Sequence, residues 1–216
     1  MHAEAGAFVV CDGMGGAAAG ETASHLAAET AVGVLAHAQP GAAAIRDAVR
    51  QANSAVFARA QRDQRLDGMG TTMVVLTLAP QAACLGHVGD SRCYRWRAGV
   101  LERLTVDHSV VEEQIQMGRL TREQARRSPM QHMITRAVGT RADVAADVQE
   151  LAVLSGDVYL LCSDGLTREL TDAVIGRVLR EAVGDPAAAC STLVSAAHAS
   201  GGRDNITCVL VTILGS

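Results

Sequence analysis

Apolar and polar positions follow two different periods along this chain, and the blocks they define predict its elements. Gly6 to Cys11 is an apolar run that stops at Asp12-Gly13, which predicts a strand opening into a loop. Ala17 to His37 is Ala-rich, with Glu21 and Glu29 as polar interruptions, and predicts a helix. Pro40 to Arg65 predicts a second helix, because Ile45, Val49, Ala52, Val56 and Ala60 recur at three- and four-residue spacing. Thr71 to Leu78, Ala82 to Val88, Cys93 to Arg97 and Val100 to Leu104 then predict four short strands separated by turn residues. Val110 to Met117 and Thr121 to Arg127 predict short helices, and Asp157 to Ser163 a strand. Asp172 to Val183 and Pro186 to Ala199 predict helices, and Ile206 to Leu214 a closing strand. Strands and helices come in blocks, which favours an α+β layered fold over a regular βαβ alternation. No long repeat, low-complexity tract or Pro/Ser-rich linker divides the chain, so 1–216 reads as a single domain.

Composition removes several function classes. The 216 residues carry a formal charge of −4 and only five aromatic side chains, which argues against a nucleic-acid surface or a base-stacking platform. All nineteen basic residues are Arg. A chain without Lys has no Walker A lysine, no kinase phosphate-pairing lysine and no Schiff-base lysine. The six cysteines include no Cys-x-x-Cys pair, and Cys11, Cys84, Cys162 and Cys208 sit in or at the end of apolar runs. They read as small core residues of a protein in a reducing compartment. No apolar run approaches the roughly 20 residues that span a bilayer, and no signal-peptide pattern opens the chain. The expectation is a cytoplasmic protein with no membrane and no nucleic-acid partner.

Four Asp residues share one context. Asp12, Asp90 and Asp164 each follow a strand-like apolar run and neighbour Gly or Ser, while Asp204-Asn205 precedes the last strand. Any one of these is ordinary turn chemistry. Four at strand ends can converge, and crowded carboxylates repel unless a hard divalent cation compensates them. Oxygen ligands without a His or Cys pair select Mg²⁺ or Mn²⁺ over Zn²⁺ or Cu²⁺. Two such ions acidify a bound water and neutralise charge on a phosphoryl group, which is hydrolysis without Lys or nucleotide. His87 and His108 lie close to these segments and read as hydrogen-bonded structural groups. Gly13, Gly15 and Gly16 lack the partners of a phosphate-cradling loop and read as permitting tight backbone geometry.

The segments Cys11-Asp12-Gly13-Met14-Gly15-Gly16, Gly70-Thr71-Thr72, Gly89-Asp90-Ser91-Arg92, Asp107-His108-Ser109, Ser163-Asp164-Gly165 and Gly202-Arg203-Asp204-Asn205 follow one another in order. In that order the chain resembles the metal-dependent serine/threonine phosphatases of the protein phosphatase 2C type, in their bacterial form. The resemblance runs from about Phe8 to Leu214. It implies two packed antiparallel sheets flanked by helices, a four-layer αββα sandwich, with two Mn²⁺ or Mg²⁺ ions and a possible third in a cleft at one edge. By position, Asp12 would bridge two metals and the Gly13 carbonyl would ligate one of them. Asp164 and Asp204 would complete the other shell, and Asp90 would help hold a third ion. The catalytic set implied is Asp12, Asp164 and Asp204, acting through a metal-activated water on phosphoserine and phosphothreonine. The partners implied are phosphorylated proteins, including a serine/threonine kinase or its substrates. The segment 110–136 corresponds to the variable flap beside the cleft. Its Arg122, Arg126, Arg127 and Arg136 could meet a phosphopeptide, although Arg on a solvated face is the plainer reading.

The resemblance also carries two departures. Family members have a further stretch before the Asp-Gly-Met-Gly-Gly segment, with a strand, a phosphate-binding Arg and an acidic pair. Here only Glu4 is acidic before Asp12, and no Arg precedes Arg46. The expectation is a chain short at its N-terminus by about 15–25 residues, a strand or two and a turn. The alternatives are that another residue substitutes for the missing ones, or that the chain is a pseudophosphatase, a regulatory phosphoprotein-binding module with impaired catalysis. The second departure is Met14, where some members place a His as candidate general acid; Met14 cannot donate a proton and is expected to pack against the cleft wall.

Overall fold

In the strands, neighbouring side chains face opposite ways, and in the inner strands of the two four-stranded sheets both faces are largely buried. The computed structural model describes residues 6–214; Glu4 lies outside the described residues. The first sheet contains β1 (Ala7–Val10), β4 (Met73–Ala79), β5 (Ala82–Val88) and β8 (Asp147–Ala152), in the order β1-β4-β5-β8. The second contains β6 (Arg92–Arg97), β7 (Val100–Arg103), β9 (Val158–Cys162) and β10 (Cys208–Thr212), in the order β10-β9-β6-β7. All these pairings are antiparallel. A two-residue ribbon of β2 (Gly13–Met14) and β3 (Gly70–Thr71) sits between β1 and β4 in sequence.

Alternation sorts the side chains into three cores. Val10, Val74, Leu76, Leu85, Cys93, Tyr159 and Leu161 meet between the two sheets. Met73, Val75 and Val88 point the other way, against α1 (Ala17–Leu35) and α2 (Ala42–Arg62). Tyr94, Trp96, Leu160 and Cys162 form the outer face of the second sheet. Against them lie α5 (Asp164–Glu169), α6 (Asp172–Glu181) and α7 (Pro186–Ala199). Helices, two sheets and helices make four layers, as the resemblance implied.

The helices form where periodicity predicts them. Ala23, Ala27, Ala31 and Leu35 line one stripe of α1, and small side chains there let α2 approach closely. Two further helices, α3 (Val110–Gln116) and α4 (Arg122–Arg126), lie in segment 110–136. Ser109 caps α3 through the Glu112 N–H, and Thr121 and Gln124 form a capping box on α4. A 3-10 turn at Gln64–Leu66 follows α2.

Two elements escape the sequence pattern. β8 is an edge strand with exposed Asp147, Gln149 and Glu150, so it has no apolar face to announce it, and β5 supplies its ladder. α5 is only six residues long and starts at Asp164-Gly165, which locally looks like a turn. The cysteines are all free thiols; Cys84, Cys93 and Cys162 are buried, while Cys11, Cys190 and Cys208 are half-buried.

Candidate metal centre

The four Asp residues come from four separate segments of the fold and meet at one end of the sheets. Asp12 leaves β1, Asp90 leaves β5, Asp164 opens α5 after β9, and Asp204 lies just before β10. Hydrogen bonds of Asp12 itself and of the neighbours of the other three fix these segments. The Asp12 carbonyl accepts from the Thr71 hydroxyl (2.9 Å) and the Thr72 N–H (2.9 Å), while the Thr72 hydroxyl accepts from the Asp12 N–H (3.0 Å). Thr72 also shares a 2.7 Å hydrogen bond with Ser91, beside Asp90. The Ser163 hydroxyl donates to the Asn205 carbonyl (3.0 Å) and accepts from the Thr207 N–H (3.0 Å), which binds the Asp164 strand end to the Asp204 loop. Glycine makes two of these approaches possible. A Cβ on Gly165 would stand 2.3 Å from the Asn205 carbonyl oxygen, and one on Gly13 would stand 1.9 Å from that of Gly20.

The carboxylates raise one another's proton affinity. Asp90 is pushed up to about 7, mainly by burial and then by Asp164 and Asp107. Burial also raises Asp164, and Asp12 and Asp204 add to the rise while Arg168 opposes it. Asp12 is raised by burial first and then by Asp204 and Asp90; its carboxyl lies within hydrogen-bonding reach of Asp164. The Asp164 Oδ1 is buried with no hydrogen-bond partner. Two like charges about 4 Å apart repel by roughly 4 kcal/mol at an effective dielectric of 20. One guanidinium does not offset four carboxylates. The orphaned oxygen and the all-oxygen donor set fit a hard divalent cation.

That guanidinium belongs to Arg168, one turn after Asp164 on α5. It pairs with Asp164, with Asp204 (3.0 Å) and, at 3.8 Å, with Asp90. Beyond it opens a cleft of about 690 Å³, bounded on the other side by Arg122, Arg126 and His132 of the flap segment. The segment leaves and returns at one point. The Val110 N–H donates to the Met133 carbonyl (2.9 Å), and the Thr135 N–H donates to the His108 carbonyl (2.8 Å).

The remaining motif residues are structural supports. Asp107 accepts three hydrogen bonds from Arg92 at 2.7–3.2 Å, and Arg103 lies 2.6 Å from it. His108 accepts from the Gly89 N–H at Nδ1 (3.0 Å), so Nε2 carries the proton and donates towards Asp147 Oδ2 (3.2 Å). His87 donates from Nε2 to the Val106 carbonyl (2.8 Å) and stacks on His108 with ring centroids 4.6 Å apart. Ligation by His108 Nε2 would move its proton to Nδ1, against the Gly89 N–H. The group His87, His108 and Asp147 is therefore a hydrogen-bonded support, as the sequence suggests, and not a second metal centre.

Comparison with known proteins agrees with this geometry. The family profile described as protein phosphatase 2C matches residues 2–203. The chain belongs to the protein phosphatase 2C family. Serine/threonine protein phosphatase PstP of Mycobacterium tuberculosis is 36% identical over 220 residues, a match covering 99% of this chain and 41% of that protein. Serine/threonine phosphatase stp of Listeria monocytogenes is 33% identical over 215 residues, covering 94% of this chain and 82% of that one. The chain thus spans about two fifths of the first relative's length. The crystal structure of the PstP catalytic domain in complex with two manganese ions superposes with a TM-score of 0.88 at 34% identity, covering 97% of this chain and 88% of that one.

Within this protein phosphatase 2C fold, the expected residues divide clearly. Asp12, Asp90, Asp164 and Asp204 are brought together, and Gly13 follows Asp12 in the β2–β3 ribbon, paired with Thr71. Met14 pairs with Gly70, and its methyl group packs over that glycine. Of the flap arginines, Arg122 and Arg126 line the cleft, whereas Arg127 pairs with Glu123 and Arg136 with Asp147. Arg168 is the residue that sequence reasoning missed. Its signal was its position four residues after Asp164, legible only once 164–169 is read as a helix.

Proposed function

We propose that this chain is a metal-dependent phosphatase that hydrolyses phosphoserine and phosphothreonine in proteins. The observation carrying this reading is the convergence of four carboxylates on one point, with the buried Asp164 Oδ1 left without a partner. In this reading Asp12, Asp164, Asp204 and the Gly13 carbonyl hold two Mn²⁺ or Mg²⁺ ions, and Asp90 helps hold a third. When bound, such ions supply an acidified water and neutralise charge on the phosphoryl group. The protein's own part is positioning. Thr71 and Thr72 hold the Asp12 backbone from both sides, and Ser163 locks the Asp164 and Asp204 segments together. These side chains spend little reorganisation when the site loads.

The cleft beside the carboxylates gives room for a phosphorylated peptide, and segment 110–136 is read as the flap that selects it. The partners are taken to be a serine/threonine kinase or its substrates, and the place of action the cytoplasm. Among the described residues, no helix is long and apolar enough to cross a membrane. The test is hydrolysis of a phosphothreonine peptide with Mn²⁺ by the wild type and Asp164→Ala. The variant is expected to lose at least about 100-fold in kcat/KM. Equal rates would reject the mechanism, and a wild type that binds phosphoprotein without turnover would support the binding-module alternative.

A further inference from the structure

The arginines lining the cleft differ in what neutralises them. Arg92 and Arg103 are held by Asp107, Arg203 by Glu169, and Arg122 lies within ion-pair range of Glu112, while Arg126 lines the far side of the cleft with no ion-pair partner among the described residues. None of those acids belongs to the proposed metal-binding set. Arg168 is different, because its three partners, Asp90, Asp164 and Asp204, all do. A divalent cation on those carboxylates takes the charge that holds the guanidinium. The side chain stays tethered to α5, at the edge of the 690 Å³ cleft and only partly exposed. A guanidinium released there is a planar fork of donors beside the ions, a geometry suited to a phosphate dianion.

We propose that Arg168 is the phosphate-positioning residue of this site, pairing with the carboxylates in the metal-free protein and with the substrate phosphate once the ions are bound. The proposal rests on the phosphatase reading and extends it to a residue in none of the motifs that carry the family resemblance. It has two consequences. The guanidinium competes with the metal for the same oxygens, so its removal strengthens metal binding. It also contacts phosphate in the loaded protein, so its removal weakens phosphate binding.

The experiment compares the wild type with Arg168→Gln and Arg168→Lys, each first checked for an unchanged circular dichroism spectrum. Calorimetry with Mn²⁺ on metal-free protein is expected to show Arg168→Gln binding a few-fold more tightly than the wild type. Calorimetry with inorganic phosphate on Mn²⁺-loaded protein is expected to show about a tenfold loss for Arg168→Gln, partly restored in Arg168→Lys, which keeps the charge but not the fork. With a phosphothreonine peptide, KM should rise about tenfold in Arg168→Gln and kcat fall by less. Unchanged phosphate affinity in Arg168→Gln, with an active wild type, overturns the role of Arg168 alone. So does unchanged or weaker Mn²⁺ binding in that variant. A wild type that neither binds Mn²⁺ nor hydrolyses the peptide overturns the phosphatase reading, and this proposal with it.

Discussion

Gly165 shows how much of the site depends on a single missing carbon. It follows Asp164 directly, and the Asn205 carbonyl oxygen occupies the space its side chain would need. Gly165→Ala would force the Asp204-Asn205 loop away from α5, breaking the Ser163 bonds that join the two segments. The expected cost is about 1–3 kcal/mol, read as a lowered thermal midpoint, together with weaker Mn²⁺ binding because Asp164 and Asp204 separate. A variant with wild-type stability and metal affinity would show that the loop tolerates the shift. The hydroxyls of Thr71, Thr72 and Ser163 act at the same scale. They are buried, touch no proposed substrate, and still decide where the carboxylates stand. The family resemblance singled out the Gly70-Thr71-Thr72 segment, but its partner, the Asp12 backbone, lies some 60 residues away and became visible only in the fold.

At the scale of elements, the ion pair between the partly exposed Arg97 of β6 and the buried Asp157 holds the start of β9 against its neighbour. Arg97 donates to Asp157 at 2.7 and 2.6 Å, and the Leu154 N–H donates to the same carboxylate at 2.9 Å. Burial alone would raise the Asp157 carboxyl, but Arg97 and the Leu154 N–H outweigh it and hold it below the usual carboxylate range. A lowered folded-state value contributes stability above the unfolded value, and that stability is lost as pH falls through the folded one. Asp157→Asn should therefore be less stable than the wild type at pH 7, since it removes the carboxylate that Arg97 and the Leu154 N–H both bind. The gap should close below about pH 4. Chemical denaturation at both pH values measures it; a gap unchanged in acid would rule out the ion pair as its source. Segment 110–136 is an element of another kind. Its short helices are capped locally, so their existence was readable from Ser109 and Thr121-Gln124. Its docking over the cleft depends on the His108 and Met133 carbonyls, which no local pattern reveals.

For the whole molecule, the four-layer stack carries a concentrated negative charge at one end of its sheets. In the metal-free protein this charge opposes folding, and a bound divalent cation reverses the balance. Ligand binding to the native state stabilises it by about 2.7 kcal/mol at a hundredfold excess over Kd. For a chain of this size that corresponds to a rise of roughly 5–10 °C in the thermal midpoint. Mn²⁺ should produce this shift in the wild type and much less of it in Asp204→Asn. Equal shifts in both would place the ion elsewhere.

Periodicity alone located nearly all the strands and helices, because sheets and amphipathic helices repeat their burial pattern locally. The absence of Lys and the four Asp at strand ends were equally legible, and they pointed to a cluster of oxygen ligands rather than to a lysine-dependent site. The failures have one cause. β8 has no apolar face, α5 begins as a turn, and Arg168 stands outside the recognised segments, so each is defined by a partner distant in sequence. Only the tertiary structure could bring Asp12, Asp90, Asp164 and Asp204 together and pair the last three with one guanidinium, because they stand on four segments that the two sheets must first align.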